Sequence, residues 1–217
     1  MNLLTFVVVL VGWVFSLCLH EFSHALVAYY GGDTTVKDKG YLTFNPLKYT
    51  HPVYSILLPL LFLVMGGIGL PGGAVYIETW RLRSRGWKSA VSLAGPFSNL
   101  IVAIVLGLIL RFGHPTSSGL WPGLAFLTFL EISALVLNLI PLPPFDGFGA
   151  IEPYLPENIL GALAQVRQFL PFVVFFLLWD VPLIYDNFWL LVSLLSNLIG
   201  VPLQLVSIGY NLFRFWG

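Results

Sequence analysis

The sequence predicts an all-α polytopic membrane protein with about five to six transmembrane helices, one re-entrant segment and a short strand-like interfacial loop. Two observations lead to this fold class. Hydrophobic residues make up 58% of the 217 residues and charged residues only 9%, whereas about a quarter of a soluble domain is charged. The apolar residues also lie in six runs, each close to the roughly 20 residues that a membrane-spanning helix requires.

The balance of charge excludes other classes of protein. Ten Lys and Arg residues are matched by ten Asp and Glu residues, so the chain lacks the basic surplus of a nucleic-acid-binding protein. Its apolar content excludes a disordered chain. The partner that the composition implies is therefore the lipid bilayer. Cys18 is the only cysteine, which rules out an intrachain disulfide.

The first apolar run, Leu3 to Tyr30, is predicted to be a retained transmembrane helix and not a signal peptide. No basic residue precedes it, since the first is Lys37. The later runs cover residues 53–70, 90–112, 120–140, 159–179 and 188–212. The polar stretches between the runs are short, so we expect one membrane-embedded domain over 1–217. Its motif-bearing core covers 1–150, and a C-terminal helical pair covers 159–212.

A short strand is predicted over Ala74–Trp80. The segment is rich in β-branched and aromatic residues and follows the turn sequence Pro71-Gly-Gly73. In a membrane protein it must be shielded by protein or lie at the interface, where an edge strand would bind another extended chain by strand addition. An interfacial loop anchored by Trp80 and Trp87 is the alternative.

A cluster of ionisable residues lies inside the first apolar run, as His20-Glu21-Phe-Ser-His24. Four helical residues correspond to about 400° of rotation and ~6 Å of rise, so the two imidazoles share one face and can bind a single zinc ion. Glu21 lies about 100° around the helix from His20, within reach of a metal-bound water as general base. Because ionisable groups in an apolar segment need a compensating role, a metal site is favoured over packed histidines.

Two histidines leave a tetrahedral zinc ion one protein ligand short, with the fourth position open for water. The acidic candidates are Asp146, Glu131, Glu78, Glu152, Asp180 and Asp186. Asp146 follows three prolines that end the fourth run, and it precedes Gly147. Extended backbone at membrane depth is tolerated only where it lines a cavity or is buried in protein. Glu131 lies in the middle of a helix and must face the protein interior, so physical reasoning leaves both residues open.

Three motifs in this order resemble the site-2 protease family of intramembrane zinc metalloproteases. They are His20-Glu-Phe-Ser-His24, Ala94-Gly-Pro-Phe-Ser-Asn99 and Asn138-Leu-Ile-Pro-Leu-Pro-Pro-Phe-Asp146-Gly147. The resemblance covers roughly residues 1–150. The sequence over Gly31–Pro52 is similar to that of the compact bacterial branch.

The resemblance implies a zinc metalloendopeptidase that hydrolyses peptide bonds within or near the transmembrane segments of membrane protein substrates. One zinc ion per chain would be held by the two histidines of the first motif and by Asp146, and Glu21 would activate the water. Asn138 would lie in the active-site cavity, where its amide positions the substrate or stabilises the oxyanion. Asn99 would line the same cavity and contact the substrate, or else hold two helices together.

Three other functions agree with parts of the sequence. A catalytically silent relative that acts as a membrane scaffold or chaperone would have no need for Glu21. A different membrane zinc peptidase would take Glu131 or Glu78 as its third ligand and leave Asp146 without a role. A metal transporter needs polar residues along a path through several helices, whereas the ionisable residues here cluster at one depth.

The second apolar run, Val53–Leu70, is predicted to enter and leave the membrane on the same side. If every run crossed, His24 and Asp146 would be separated by much of the ~30 Å core and could not share a metal ion. With this run re-entrant, every Lys and Arg except Arg111 falls on one face, which the positive-inside rule makes cytoplasmic. We therefore expect a multi-pass cell-membrane protein with the N-terminus outside, the C-terminus inside and the active site near the cytoplasmic face.

Overall fold

The regular structure is helical throughout the part of the chain that the computed structural model describes, residues 2–45, 48, 75–117 and 119–214. The α-helices in these ranges are α1 Leu3–Gly31, α2 Thr35–Asp38, α3 Arg85–Phe112, α4 Leu120–Asn138, α5 Asp146–Ile151, α6 Glu157–Val166, α7 Leu170–Asp180, α8 Pro182–Ile199 and α9 Leu203–Phe213. The predicted fold class, an all-α polytopic membrane protein, is confirmed.

Four of these helices, α1, α3, α4 and α8, are long and apolar enough to cross a membrane. The two longest begin at polar caps that satisfy free backbone N–H groups. The Asn2 side chain accepts the N–H groups of Leu4 and Thr5 at 3.0 and 3.2 Å. The Ser84 hydroxyl accepts the N–H of Trp87 at the start of α3. Within each helix the remaining N–H groups are satisfied by i→i−4 hydrogen bonds.

Helices α1, α3 and α4 pack against one another and form the centre of the structure. The end of α1 meets the start of α3, where the Arg83 N–H donates to the Gly31 carbonyl oxygen at 2.9 Å. The two helices therefore run antiparallel, and the chain leaves and returns at one end of the bundle. The predicted re-entrant run, Val53–Leu70, lies outside the described residues.

The C-terminal third differs from the predicted pair of transmembrane helices. The run over 159–179 is divided into α6 and α7 by a turn that begins at Arg167, because polar residues there are followed by a proline in the first turn of α7. The run over 188–212 is divided into α8 and α9, because Gly200 adopts a left-handed conformation with φ 88° and Pro202 follows it.

The prediction that the C-terminus lies on the opposite face from the N-terminus is wrong. The Asn2 N–H donates to the Leu212 carbonyl oxygen at 2.8 Å, and Phe6 stacks on Phe213 at a ring separation of 5.3 Å. Both ends of the described chain therefore lie together, at the end of α1 that is remote from Gly31. The sequence prediction failed because it treated residues 188–212 as one continuous helix, whereas the structure has a break between α8 and α9.

The structure has a loop over residues 75–78, within the segment 74–80 where a strand is predicted. The described part of this segment has no regular structure before a 3₁₀ turn. Two of its backbone N–H groups donate to side-chain carboxylates and not to a neighbouring strand. Val75 donates to Glu21 Oε2 at 3.0 Å, and Glu78 donates to Asp33 Oδ2 at 2.7 Å. These carboxylates replace the backbone partners that a strand would use.

Candidate metal centre

Three ligand-type side chains from distant parts of the sequence meet between α1 and α5. His20, His24 and Asp146 each offer one ligand atom, and these atoms lie within 4.8 Å of one another. Asp146 Oδ2 is 3.1 Å from His20 Nε2, and Asp146 Oδ1 is 3.5 Å from His24 Nε2. Donors bound at ~2.1 Å to a tetrahedral zinc ion are about 3.4 Å apart. The spacing and the chemistry of the three donors therefore fit such an ion.

Each imidazole is oriented by a hydrogen bond at Nδ1, on the side of the ring away from the other two donors. His24 Nδ1 lies 2.6 Å from the Val91 carbonyl oxygen, and His20 Nδ1 lies 2.5 Å from Asn99 Oδ1. Because a carbonyl oxygen only accepts, this arrangement places the proton on Nδ1 and leaves the Nε2 lone pair for a metal ion. The resemblance implies that Asn99 either lines the cavity or holds two helices together; in the structure it lies behind His20 and contacts both α1 and α4.

Gly95 of α3 makes the close approach of the two histidines possible. A Cβ atom at this position would overlap the Nε2 atoms of both His20 and His24, and it would lie 2.6 Å from His20 Cε1. Only glycine fits without moving the imidazoles. The Gly-Pro-x-x-Asn motif therefore contributes twice to this site, through the room at Gly95 and through the hydrogen bond that the Asn99 oxygen accepts from His20.

Asp146 reaches the histidines because the proline-rich turn folds back onto the end of α4. A Cβ atom on the next residue, Gly147, would overlap the Leu139 carbonyl oxygen and lie 2.8 Å from that of Ile140. Burial raises the pKa of Asp146, but the neighbouring histidines more than offset this and hold it below its ordinary value. The side chain therefore stays in the ionised form that a metal ligand requires.

Glu21 lies beside the three donors, on the wall of a cavity of about 850 Å³ that also contains Asn138. The Glu21 side chain is buried, and its Oε2 accepts the Val75 N–H at 3.0 Å. The structure thus brings together the metal-ligand cluster, a carboxylate and an amide in one cavity of ligand-binding size. Charged residues of both signs line the same cavity: Arg85, Lys88, Glu152 and Glu157.

Comparison with known proteins identifies the family. The chain is 49% identical over 212 residues to "Putative zinc metalloprotease Rip2" of Mycolicibacterium smegmatis, and 46% identical to the protein of the same name in Mycobacterium tuberculosis. Each match covers 97% of this chain and 81% of the relative. The chain belongs to the site-2 protease family. It is also 33% identical over 182 residues to "Putative zinc metalloprotease YwhC" of Bacillus subtilis, a match that covers 78% of each chain.

No family model matches the chain, and no solved structure matches it. The resemblance inferred from the three motifs nevertheless agrees with the full-length matches, which extend beyond residue 150 into the C-terminal helices. Membership of the site-2 protease family is therefore a property of nearly the whole chain and not only of its motif-bearing core.

Two of the other acidic candidates for the third ligand, Glu78 and Glu131, are engaged elsewhere. Glu78 Oε1 lies 2.9 Å from Lys39 Nζ, and Glu78 Oε2 lies 2.5 Å from Arg81 Nε. The hydrogen bonds from Arg81 and Lys39 lower the pKa of Glu78 to about 2. Glu131 is fully buried, and its Oε2 accepts the Asn99 amide N–H at 2.7 Å. Neither residue joins the histidine cluster.

Sequence reasoning missed three contributors to the site. The Val91 carbonyl and the Val75 N–H belong to the backbone, so no side-chain pattern could reveal them. Gly95 acts by lacking a side chain, and its role depends on how close α3 lies to α1. The signal for Gly95 was its place in the Gly-Pro-x-x-Asn motif, which indicated importance but not the contact.

Proposed function

We propose that this chain is a zinc metalloprotease that hydrolyses peptide bonds within or next to the transmembrane segments of other membrane proteins. One observation carries the proposal: His20, Glu21 and His24 lie inside a helix that is long and apolar enough to cross a membrane, and Asp146 is brought against the two histidines. At 1.5 Å per residue, His24 and His20 are about 10 and 17 Å along α1 from Gly31, so both lie within a ~30 Å core and nearer to the Gly31 end of the helix than to its start. The names of the relatives support the metalloprotease chemistry.

The residues of the cavity divide the chemistry among them. Zinc, held by the two histidines and Asp146, would polarise the peptide carbonyl and lower the pKa of water. Glu21 uses Oε2 to accept the Val75 N–H, so its Oε1 would take the proton from the attacking water and deliver it to the leaving amine. Asn138, on the cavity wall, would donate its amide N–H to the carbonyl oxygen as negative charge develops there.

The substrate would be a transmembrane helix that unwinds locally. A helical carbonyl is engaged in an i→i−4 hydrogen bond, so the segment must become extended before Glu21 and Asn138 can act on a peptide bond. We place the centre near the cytoplasmic face of the cell membrane, because basic residues are concentrated at the end of the bundle where α1 ends and α3 begins. Those in the described ranges are Lys37, Lys39, Lys48, Arg81, Arg83, Arg85 and Lys88.

Zinc content and cleavage test this function together. The full chain is reconstituted in liposomes with a single-span test substrate, and wild type is compared with Glu21→Gln. We expect both to contain one zinc ion per chain, and Glu21→Gln to cleave about 10²–10⁴-fold more slowly because only the proton transfer is lost.

The matched control is Asp186→Asn, the corresponding acid-to-amide change at an exposed position of α8 that does not line the cavity, and it should cleave at the wild-type rate. Two results would reject the proposal. One is cleavage by Glu21→Gln near the wild-type rate. The other is zinc-loaded wild type that cleaves no membrane-embedded substrate, as a scaffold or chaperone would behave.

A further inference from the structure

A chain of hydrogen bonds joins the metal centre to Glu131, a residue that the proposed chemistry does not use. His20 Nδ1 lies 2.5 Å from Asn99 Oδ1, and Asn99 Nδ2 donates to Glu131 Oε2 at 2.7 Å. The three residues come from α1, α3 and α4 and are 7%, 4% and 0% exposed. A carboxylate is unfavourable inside an apolar bundle, so its presence there calls for a role.

The donors and acceptors in this chain fix its direction. A carboxylate only accepts hydrogen bonds, so Glu131 requires the NH₂ group of Asn99 to point towards it. The oxygen of the same amide then faces His20. Because that oxygen also only accepts, His20 must carry its proton on Nδ1, and Nε2 keeps the lone pair that a metal ion needs.

The tautomer of His24 needs no second residue to fix it, because its Nδ1 partner is the Val91 carbonyl oxygen, which can only accept a hydrogen bond. An asparagine side chain can present either its oxygen or its NH₂ group, depending on how the amide is rotated. If Asn99 turned, its NH₂ group would donate to His20 Nδ1, and the proton would move to Nε2 and block the metal ion. The tautomer of His20 therefore depends on the orientation of the Asn99 amide, and Glu131 is the group that fixes this orientation.

We propose that Glu131 is a positioning residue for the metal centre: it locks the Asn99 amide and thereby keeps His20 in the tautomer that binds metal. The inference rests on the metal site of the proposed function. It assigns Glu131 neither contact with the substrate nor ligation. It predicts that metal affinity depends on whether residue 131 can accept a hydrogen bond, and not on its charge.

The test measures zinc affinity of the detergent-solubilised full chain by competition with a chelator. In Glu131→Leu the Asn99 amide loses its partner and turns to donate to His20, so we expect zinc to bind 10–100-fold more weakly. In Glu131→Gln the correct and turned orientations are both satisfied. If they are equally populated, affinity falls only about twofold.

A second readout reports the tautomer itself. In metal-free protein with ¹⁵N-labelled histidine, His20 should carry its proton on Nδ1 in wild type and shift towards Nε2 in Glu131→Leu. Asn99→Leu should weaken zinc binding to a similar degree. The double variant should be no worse than either single variant, because both changes break one chain of contacts.

These measurements separate positioning from a purely structural role. Thermal unfolding is measured on the same samples. Glu131→Leu leaves one polar atom of the Asn99 amide without a partner, so we expect a modest loss of stability, and the loss of zinc must be seen in protein that remains folded. Wild-type zinc affinity in Glu131→Leu, an equal loss in Glu131→Gln, or additive losses in the double variant would overturn the inference. If this pattern holds but no substrate is cleaved, the proposed function fails while the role of Glu131 stands.

Discussion

Replacing Gly95 by alanine should disable the metal centre while adding only one methyl group. The new Cβ would lie 2.6 Å from His20 Cε1 and closer still to both Nε2 atoms, whereas ordinary contacts begin at 3.4 Å, so the rings must move by at least about 0.8 Å. Metal–ligand distances tolerate only about ±0.2 Å, and a misplacement of ~1 Å in an active site costs about 10²-fold in rate. We therefore expect substoichiometric zinc and at least a ~100-fold loss of cleavage.

The measurement is zinc per chain by elemental analysis, with cleavage of a single-span substrate in the same liposomes. Gly161→Ala is the matched control, because a Cβ at Gly161 in α6 meets nothing within 4 Å. Glycine in a helix is less favourable than alanine by roughly 0.5–1 kcal/mol, so the control should be at least as stable as wild type and fully active. Full zinc content and near-wild-type cleavage in Gly95→Ala would refute the packing argument.

Two further predictions concern acidic side chains in and near the site. Asp146→Asn should lose both zinc and cleavage, whereas Glu131→Gln should keep zinc. If metal analysis showed the reverse, Glu131 would be the third ligand. Glu78→Gln should speed amide hydrogen exchange over residues 75–78, because the contacts with Lys39 and Arg81 weaken; unchanged exchange would show that the ion pairs do not hold this segment. The pKa of Glu78 is lowered from 4.5 to about 2. The stability that its ion pairs contribute is therefore fully present above pH 4.5 and is lost as the pH falls towards 2.

The part of the site that is local in sequence was predictable from helix geometry alone. His20 and His24 are four residues apart, so any helix places them on one face, and Glu21 follows at a fixed angle. The structure agrees, with both Nε2 atoms directed at one carboxylate. The third ligand was not local. Physical reasoning left Asp146 and Glu131 open, and the family resemblance favoured Asp146.

The remaining features depend on contacts between distant segments. Apolar periodicity does not show where a helix breaks, so the Gly200 turn between α8 and α9 was read as continuous helix. The strand predicted before Trp80 failed because its N–H groups are satisfied by the Glu21 and Asp33 carboxylates. A burial pattern likewise marks Glu131 as interior but cannot show that Asn99 links it to a histidine.

The last prediction concerns topology, and the structure sharpens it. Because the Arg83 N–H bonds to the Gly31 carbonyl, positions on either side of residues 35–82 should be exposed on one face of the membrane. Thr34→Cys and Gly86→Cys are suitable probes, since both positions are exposed and a Cβ at Gly86 has room. In a background without Cys18, the sole native cysteine, both should react with an impermeant maleimide from the cytoplasmic side only.

Probes at the other end of the bundle complete the test. Ser117→Cys, between α3 and α4, and Asn211→Cys, near the end of α9, should react only from outside, because Leu212 bonds to Asn2 at the start of α1. Labelling of Thr34→Cys and Gly86→Cys from opposite sides would contradict the same-side return of the chain. Labelling of Asn211→Cys from the cytoplasm would contradict the α8–α9 turn and restore a C-terminal helix that crosses. The four positions therefore test the two ends of the bundle independently.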